Sequence, residues 1–257
     1  MQIRSISLIY SLACTAAYAQ NPREAVAVSP SFVVEGQVVK GVPYTAHAVT
    51  TSKQTLVTGS EVSSSVTALV ARDSEGRTRR EQTLLGIGGW TIERSESPTV
   101  IVIQDPVKMV NYVLNPKTHL ARMNRQLPPV NPEEARRREE RRRAEVNQRE
   151  PRSERTESLG TKVMEGVKTE GRRTITTFPI GSVRNSAPIE VIAETWYSPD
   201  LQEVVYTKRT DPRFGETTYR LTDIKRAEPP ASLFEVPADY RVEAESERGL
   251  NERERRK

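Results

Sequence analysis

From Val42 to Ile224 the chain reverses direction at short intervals. Segments rich in Val, Ile, Thr and Tyr are separated by runs such as Asp73-Ser74-Glu75-Gly76, Asn115-Pro116-Lys117-Thr118, Thr169-Glu170-Gly171, Ser198-Pro199-Asp200 and Asp211-Pro212-Arg213-Phe214-Gly215. In such runs Asp, Asn and Ser bond the local backbone, Pro presets φ, and Gly accepts a positive φ. Loops this short join antiparallel neighbours, because parallel strands need a crossover of roughly a dozen residues. The expected fold is therefore mainly β: a single strongly curved antiparallel sheet, bent by its own twist into an open half-barrel.

The clearest alternation runs from Glu61 to Arg72, with Val62, Val66, Ala68 and Val70 on one face and Arg77 to Leu85 as the return strand. Val100 to Ile103 reads as a strand buried on both sides. Met109 to Leu114 is expected to pair with His119 to Met123, Lys162 to Lys168 with Arg172 to Phe178, and Ile189 to Tyr197 with Glu203 to Arg209. Glu216 to Ile224 closes the series. Hydrophobic residues make up 35% of the chain and aromatics only 5%, so Val, Ile, Thr and Leu must fill most of the core. Branching at Cβ suits Val, Ile and Thr to strands.

Two stretches break the pattern. Residues 128–157 open on Asn131-Pro132-Glu133-Glu134, a helix start with a capping Asn, a first-turn Pro and acids at the positive end of the dipole. The Arg/Glu run that follows has no apolar stripe, so it reads as a charged insert, helical or disordered, with nothing to bury. Residues 243–257 read as a disordered charged tail.

The amino-terminal residues 1–19 have the three parts of a signal peptide. They are a positive start at Arg4, an apolar run from Ile6 to Ala13, and a small-x-small site at Ala17-Tyr18-Ala19. Residues 20–40 then form a leader and 41–242 the β domain. Cleavage after Ala19 places the chain in the periplasm or outside the cell. The alternative is a lipoprotein acylated at Cys14, for which Ser11-Leu12-Ala13 is a partial motif. No later stretch has the roughly 20 apolar residues needed to span a bilayer as a helix. Cys14 is the only cysteine, so the mature chain has no disulfide, thiolate chemistry or Cys-based metal site. The net charge of +5 comes from Arg interleaved with Glu, which argues for a solvated surface and not for a nucleic-acid face.

Little in the sequence suggests catalysis. His47 and His119 are the only histidines, both are expected in strands, and no metal-binding spacing joins them. Gly86-Ile87-Gly88-Gly89 lacks the helix and Lys-Ser/Thr pair of a phosphate loop and reads as a turn or strand kink. No catalytic residue, metal or cofactor is assigned. A hydrolase with a dispersed triad is the residual alternative, and neither His lies near a nucleophile signature. The aromatics Trp90, Trp196, Tyr197, Tyr206, Tyr219, Phe178 and Phe214 are expected to fill the core or line a cavity.

Four stretches carry a resemblance. They are Gly41-Val42-Pro43-Tyr44-Thr45-Ala46; Arg72 to Glu81; Glu194-Thr195-Trp196-Tyr197-Ser198-Pro199-Asp200-Leu201; and Asp211 to Glu216 with the later Ala231-Ser232-Leu233-Phe234-Glu235-Val236-Pro237. Over about residues 41–242 the chain resembles a group of uncharacterised exported bacterial proteins. Its layout is similar to the outer-membrane lipoprotein carrier group (LolA, LolB and RseB type), whose ending the Leu233-Phe234-x-x-Pro237 pattern resembles. That resemblance implies an open curved sheet with helices plugging a concave apolar face that holds acyl chains. The sequence departs from it in having no amphipathic helix before the first strand.

The expected function is a periplasmic, non-enzymatic binding protein holding lipid or the acyl chains of a lipoprotein. Val62, Val66, Val70, Val191, Ala193 and Tyr219 are the candidate apolar ligand face. The alternative is an envelope structural or interaction protein with a filled core, contacting a protein partner and taking no small ligand.

Overall fold

The computed structural model describes residues 38–56, 58–83, 86–87, 90–91, 98–126, 132–149 and 151–244. Residues 1–37, which include Cys14 and the stretch read above as a signal peptide, lie outside the described residues, as do Gly88, Gly89 and 245–257. The strands are β1 Tyr44–Thr55, β2 Glu61–Arg72, β3 Thr78–Thr83, β4 Gly86–Ile87, β5 Trp90–Thr91, β6 Thr99–Asp105, β7 Val110–Asn115 and β8 Leu120–Arg125. After helix α1, Pro132–Arg149, come β9 Ser153–Met164, β10 Val167–Phe178, β11 Ile189–Ser198, β12 Glu203–Asp211, β13 Gly215–Lys225 and β14 Arg241–Ala244, with a 3-10 turn at Ala231–Phe234.

Twelve strands form one sheet in the order β14-β8-β7-β6-β3-β2-β1-β13-β12-β11-β10-β9. It stays open, because β14 and β9 occupy opposite edges. Two antiparallel meanders make up most of it, and the β1–β13 pairing, Ala48 opposite Leu221, welds them into one surface. Gly86–Ile87 and Trp90–Thr91 pair as a separate two-residue hairpin.

The hairpin between β2 and β3 is held by a buried acid. Asp73 is 1% exposed and accepts from the Arg77 backbone N–H at 2.8 Å and from Arg77 Nε at 2.5 Å. Gly76 sits at φ 87, and a Cβ there would meet Val38 Cγ1 at 2.5 Å and Val39 O at 2.9 Å. This position therefore demands glycine both for its backbone and for the close passage of the chain entering β1.

Several expectations are corrected. The β9–β10 reversal is at Glu165-Gly166, φ 50 and 77, with Met164 opposite Val167, and not at Thr169-Glu170-Gly171. Two positive-φ residues make the tight hairpin turn whose twist matches the flanking strands. The 169–171 stretch lies inside β10, where Gly171 pairs with Trp196 of β11. A Cβ at Gly171 would meet three ring atoms of Trp196 at 2.6 to 2.8 Å, so this glycine makes room for a ring and does not make a turn. His119 stands in the turn before β8 at φ 49, not in a strand. The sheet is not wholly antiparallel: β14 returns parallel to β8, Arg241 opposite Leu120. Glu243 and Ala244 therefore belong to a strand, and β9 begins at Ser153, inside the stretch read as the insert.

Two apolar clusters hold the sheet on opposite faces. One joins Tyr44, Ala46, Ala48, Ala68, Val70, Val167, Leu201, Val205, Tyr219 and Leu221. The other places Phe234, with Leu233, Val236 and Tyr240 beside it, against Ala71, Ile101, Ile103, Leu114 and Ala121. Val70 and Ala71 are consecutive in β2, so they necessarily serve different faces. The Leu233-Phe234 ending thus seals the sheet from behind. α1 is charged all round, and its described side chains are exposed.

Candidate functional site: the concave face

Following the register strand by strand sorts the side chains by face. One row runs Val66, Thr50, Tyr219, Thr207, Thr195 and Arg172. The next runs Ser64, Ser52, Thr217, Arg209, Ala193 and Thr174. In the other half, Val70 lies opposite Arg80, Arg80 opposite Val102, and Val102 opposite Val113. Since alternate residues share a face, Val62, Val66, Val70, Val191, Ala193 and Tyr219 all lie on one side of the sheet.

Their depths differ. Val191 and Val70 are buried, and Tyr219 is 8% exposed in the same cluster as Val70. Val66 and Ala193 are half-buried, while Val62, at the outer end of β2, is 54% exposed. Val100 and Val102 are also half-buried and Val113 is exposed, and all three continue this face across β6 and β7. Of the aromatics expected in the interior, Phe178 and Trp196 are buried, whereas Phe214 is 49% exposed.

Contacts across several strands mark this as the side toward which the sheet bends. Arg80 of β3 hydrogen-bonds the Tyr219 hydroxyl of β13, three places away in the sheet. On a flat sheet, at about 4.8 Å per strand, that separation is about 14 Å. Arg72, at the end of β2, donates to the Leu201 carbonyl in the β11–β12 turn, and its Nη1 lies 3.5 Å from Glu203 Oε2. Tyr44 Oη donates to the same carboxylate oxygen at 3.2 Å, and the Arg72 guanidinium stacks 4.9 Å from the Tyr44 ring centre. Arg72 Nε donates to the Val42 carbonyl at 3.1 Å.

The sequence reading missed this polar group within an apolar face. Its electrostatics follow from burial. Burial, followed by the Glu203 charge, raises the Tyr44 pKa well above the ordinary phenol value. Burial also raises Glu203, against the opposing pull of Arg72, the Val204 backbone N–H and the Tyr44 hydroxyl. Tyr219 is raised by burial and then by Glu203. Arg80 is lowered by burial.

The other face differs in kind. A shallow depression of about 340 Å³ there is lined by Arg173, Ile175, Ile192, Glu194, Lys208 and Thr210. Arg173 and Glu194 pair at 2.6 Å, and Lys208 pairs with Glu216 at 2.8 Å. A second, of about 210 Å³, opens beside Thr45, His47 and Leu69. His47 pairs with Asp223 at 3.3 Å and His119 with Asp239 at 2.7 Å, all four side chains being about half exposed or more. Among the described residues, no group of three His, Cys, Asp or Glu side chains could hold a metal ion. No helix among them is long and apolar enough to cross a membrane.

The chain matches no family model and no curated protein. Its layout is similar to several solved structures. An uncharacterised conserved protein from Thermus thermophilus is 11% identical, with a TM-score of 0.39, over 79% of this chain and 91% of that one. MucB, solved in complex with MucA, is 10% identical with a TM-score of 0.35, over 79% of this chain and 57% of that one. A LolA superfamily protein from Nitrosomonas europaea is 10% identical with a TM-score of 0.28, over 76% and 90%.

Proposed function

We propose that the chain is an exported, non-enzymatic binding protein that lays a lipid or the acyl chain of a lipoprotein along the concave face of its sheet. The observation that carries this is the grouping of Val62, Val66, Val100, Val102, Val113 and Ala193 on one face, none of them fully buried, on the side toward which the sheet bends. Acyl chains gain about 0.8 kcal/mol per buried CH₂, so such a face needs no reactive group to hold one. The compartment that fits is the periplasm or the exterior, with residues 1–19 removed and Cys14 leaving with them.

The test is binding of the uncharged apolar probe N-phenyl-1-naphthylamine to the purified mature chain, alongside mass spectrometry of lipid that copurifies from its native envelope. Saturable probe fluorescence is expected, falling at least tenfold in affinity in Val66→Glu. No binding by wild type and no recovered lipid would remove the reading.

A second reading, as an envelope interaction protein, is favoured by one feature. β9 is a 12-residue edge strand, and among the described strands it pairs only with β10. Such an edge can accept a partner's extended segment.

A further inference from the structure

Besides Arg122, Arg172 and Arg209, the concave face carries Arg72 and Arg80, and these last two differ in compensation. Arg72 has Glu203 beside it and two backbone carbonyls as acceptors. Arg80 has only neutral partners. Its Nε and Nη2 donate to Gln82 Oε1 at 3.1 and 2.9 Å, and it also bonds the Tyr219 hydroxyl. Among the described residues, no carboxylate lies within ion-pair distance of it. In register it is flanked by Val70 and Val102, with Val113 beyond. The acid of the polar group, Glu203, is already engaged by Arg72 and Tyr44.

A half-buried cation with no counter-charge is unfavourable unless something supplies one. Burial accordingly pulls Arg80 downward from its ordinary value. The planar guanidinium fork matches the oxygens of a carboxylate or a phosphate. We propose that Arg80 anchors the anionic head of an amphiphile whose acyl chain runs along the valines of the concave face. This rests on the binding function proposed above and adds a ligand class to it: an oxyanion head on an apolar tail. Gln82 and Tyr219 orient the guanidinium and keep it on the face without neutralising it.

The experiment titrates cis-parinaric acid and its methyl ester, which share a chain and differ in charge, into the mature protein at neutral pH. Wild type is expected to bind the acid at least tenfold more tightly. Arg80→Gln should bring the acid down to the level of the ester and leave the ester within twofold. Arg80→Lys, which keeps the charge and loses the fork, should retain part of the preference. Displacement of bound cis-parinaric acid by oleate or by oleoyl lysophosphatidate tells a carboxylate head from a phosphate head.

Equal binding of acid and ester by wild type would overturn the anchor, as would equal loss of both in a folded Arg80→Gln protein. Displacement by millimolar inorganic phosphate alone would also overturn it, since that marks a small-anion site. Should Arg80→Gln fail to fold, the wild-type ratio and Arg80→Lys decide. If N-phenyl-1-naphthylamine binds while the acid shows no preference, only the anchor is wrong. If neither binds, the binding function falls with it.

Discussion

Replacing Gly171 by Ala should have an effect whose sign depends on Trp196. In a strand interior, Ala is ordinarily favoured over Gly by about 0.5–1 kcal/mol, because Gly loses more backbone freedom on folding. Gly171 is absent from the positive-φ residues, so its backbone suits Ala. The obstacle is the Trp196 ring, with Cζ3 and Cη2 at 2.6 Å and Cε3 at 2.8 Å from where the methyl would sit. That ring is 7% exposed, with Lys162 Nζ 3.6 Å from its centre on β9, so it has little room to withdraw. Forcing an extra carbon into a packed contact costs about 1–3 kcal/mol. Gly171→Ala should therefore destabilise wild type by about that amount, lowering Tm by about 2–12 °C at roughly 2–4 °C per kcal/mol for a domain of this size. In a Trp196→Leu background, where those three atoms are gone, the same change should become neutral or stabilising by up to about 1 kcal/mol. Urea unfolding of the four proteins gives the coupling directly. The same destabilisation in both backgrounds would refute the account, because the ring could then not be why residue 171 is glycine.

Two further outcomes are expected. Asp211 is 2% exposed; burial alone would raise its pKa, but hydrogen bonds from Arg213 Nε at 2.9 Å and Nη2 at 2.8 Å, and from the Arg213 backbone N–H, hold it below the ordinary value. A carboxylate lowered in the folded state contributes stability that is present above its unfolded pKa and lost as pH falls through the folded one. Asp211→Asn should thus cost about 1–3 kcal/mol at pH 7 and flatten the acid limb of stability against pH below about 4, as read by urea midpoints. Replacing Pro132–Arg149 with a short Gly/Ser linker should change unfolding free energy by less than about 1 kcal/mol, since surface pairs such as Arg136–Glu140 at 2.8 Å contribute little; a Tm drop of many degrees would show that α1 packs on the sheet.

The sequence revealed most of what depends on neighbours along the chain. β2 was legible to the residue from its alternation, and the Asp73 turn from its chemistry. The reversal at Glu165-Gly166 was missed because Thr169-Glu170-Gly171 holds an equally plausible glycine, and only the Trp196 ring across the sheet says what Gly171 is for. The parallel return of β14 could not be read, since it pairs residues more than a hundred positions apart. Within β2, and again within β11, residues two apart share a side because parity is local, whereas the side shared by Val66, Ala193 and Tyr219 is set by register across strands. The polar group set into it was not found, although a signal existed. Arg72 and Arg80 both occupy positions that the alternation of Val66 and Val70, carried through the β2–β3 hairpin, points inward. A charge at an inward position asks for a partner. For Arg72 that partner is Glu203, supplied by the start of β12, which no local rule links to it.

The helix offers the last step. A helix lying over the concave face would need an apolar stripe to rest on apolar strands. α1 has none: Arg and Glu occupy every side, and no turn of it offers a run of Val, Leu or Ile. Laying it over Val66, Val102 and Ala193 would bury guanidinium groups against valine methyls without counter-charge, which costs far more than those methyls return. The connection from β8 at one side of the sheet to β9 at the far edge is thus built from residues that favour water over the trough. Such a crossover has no apolar side to lay on the valine rows or on Arg80.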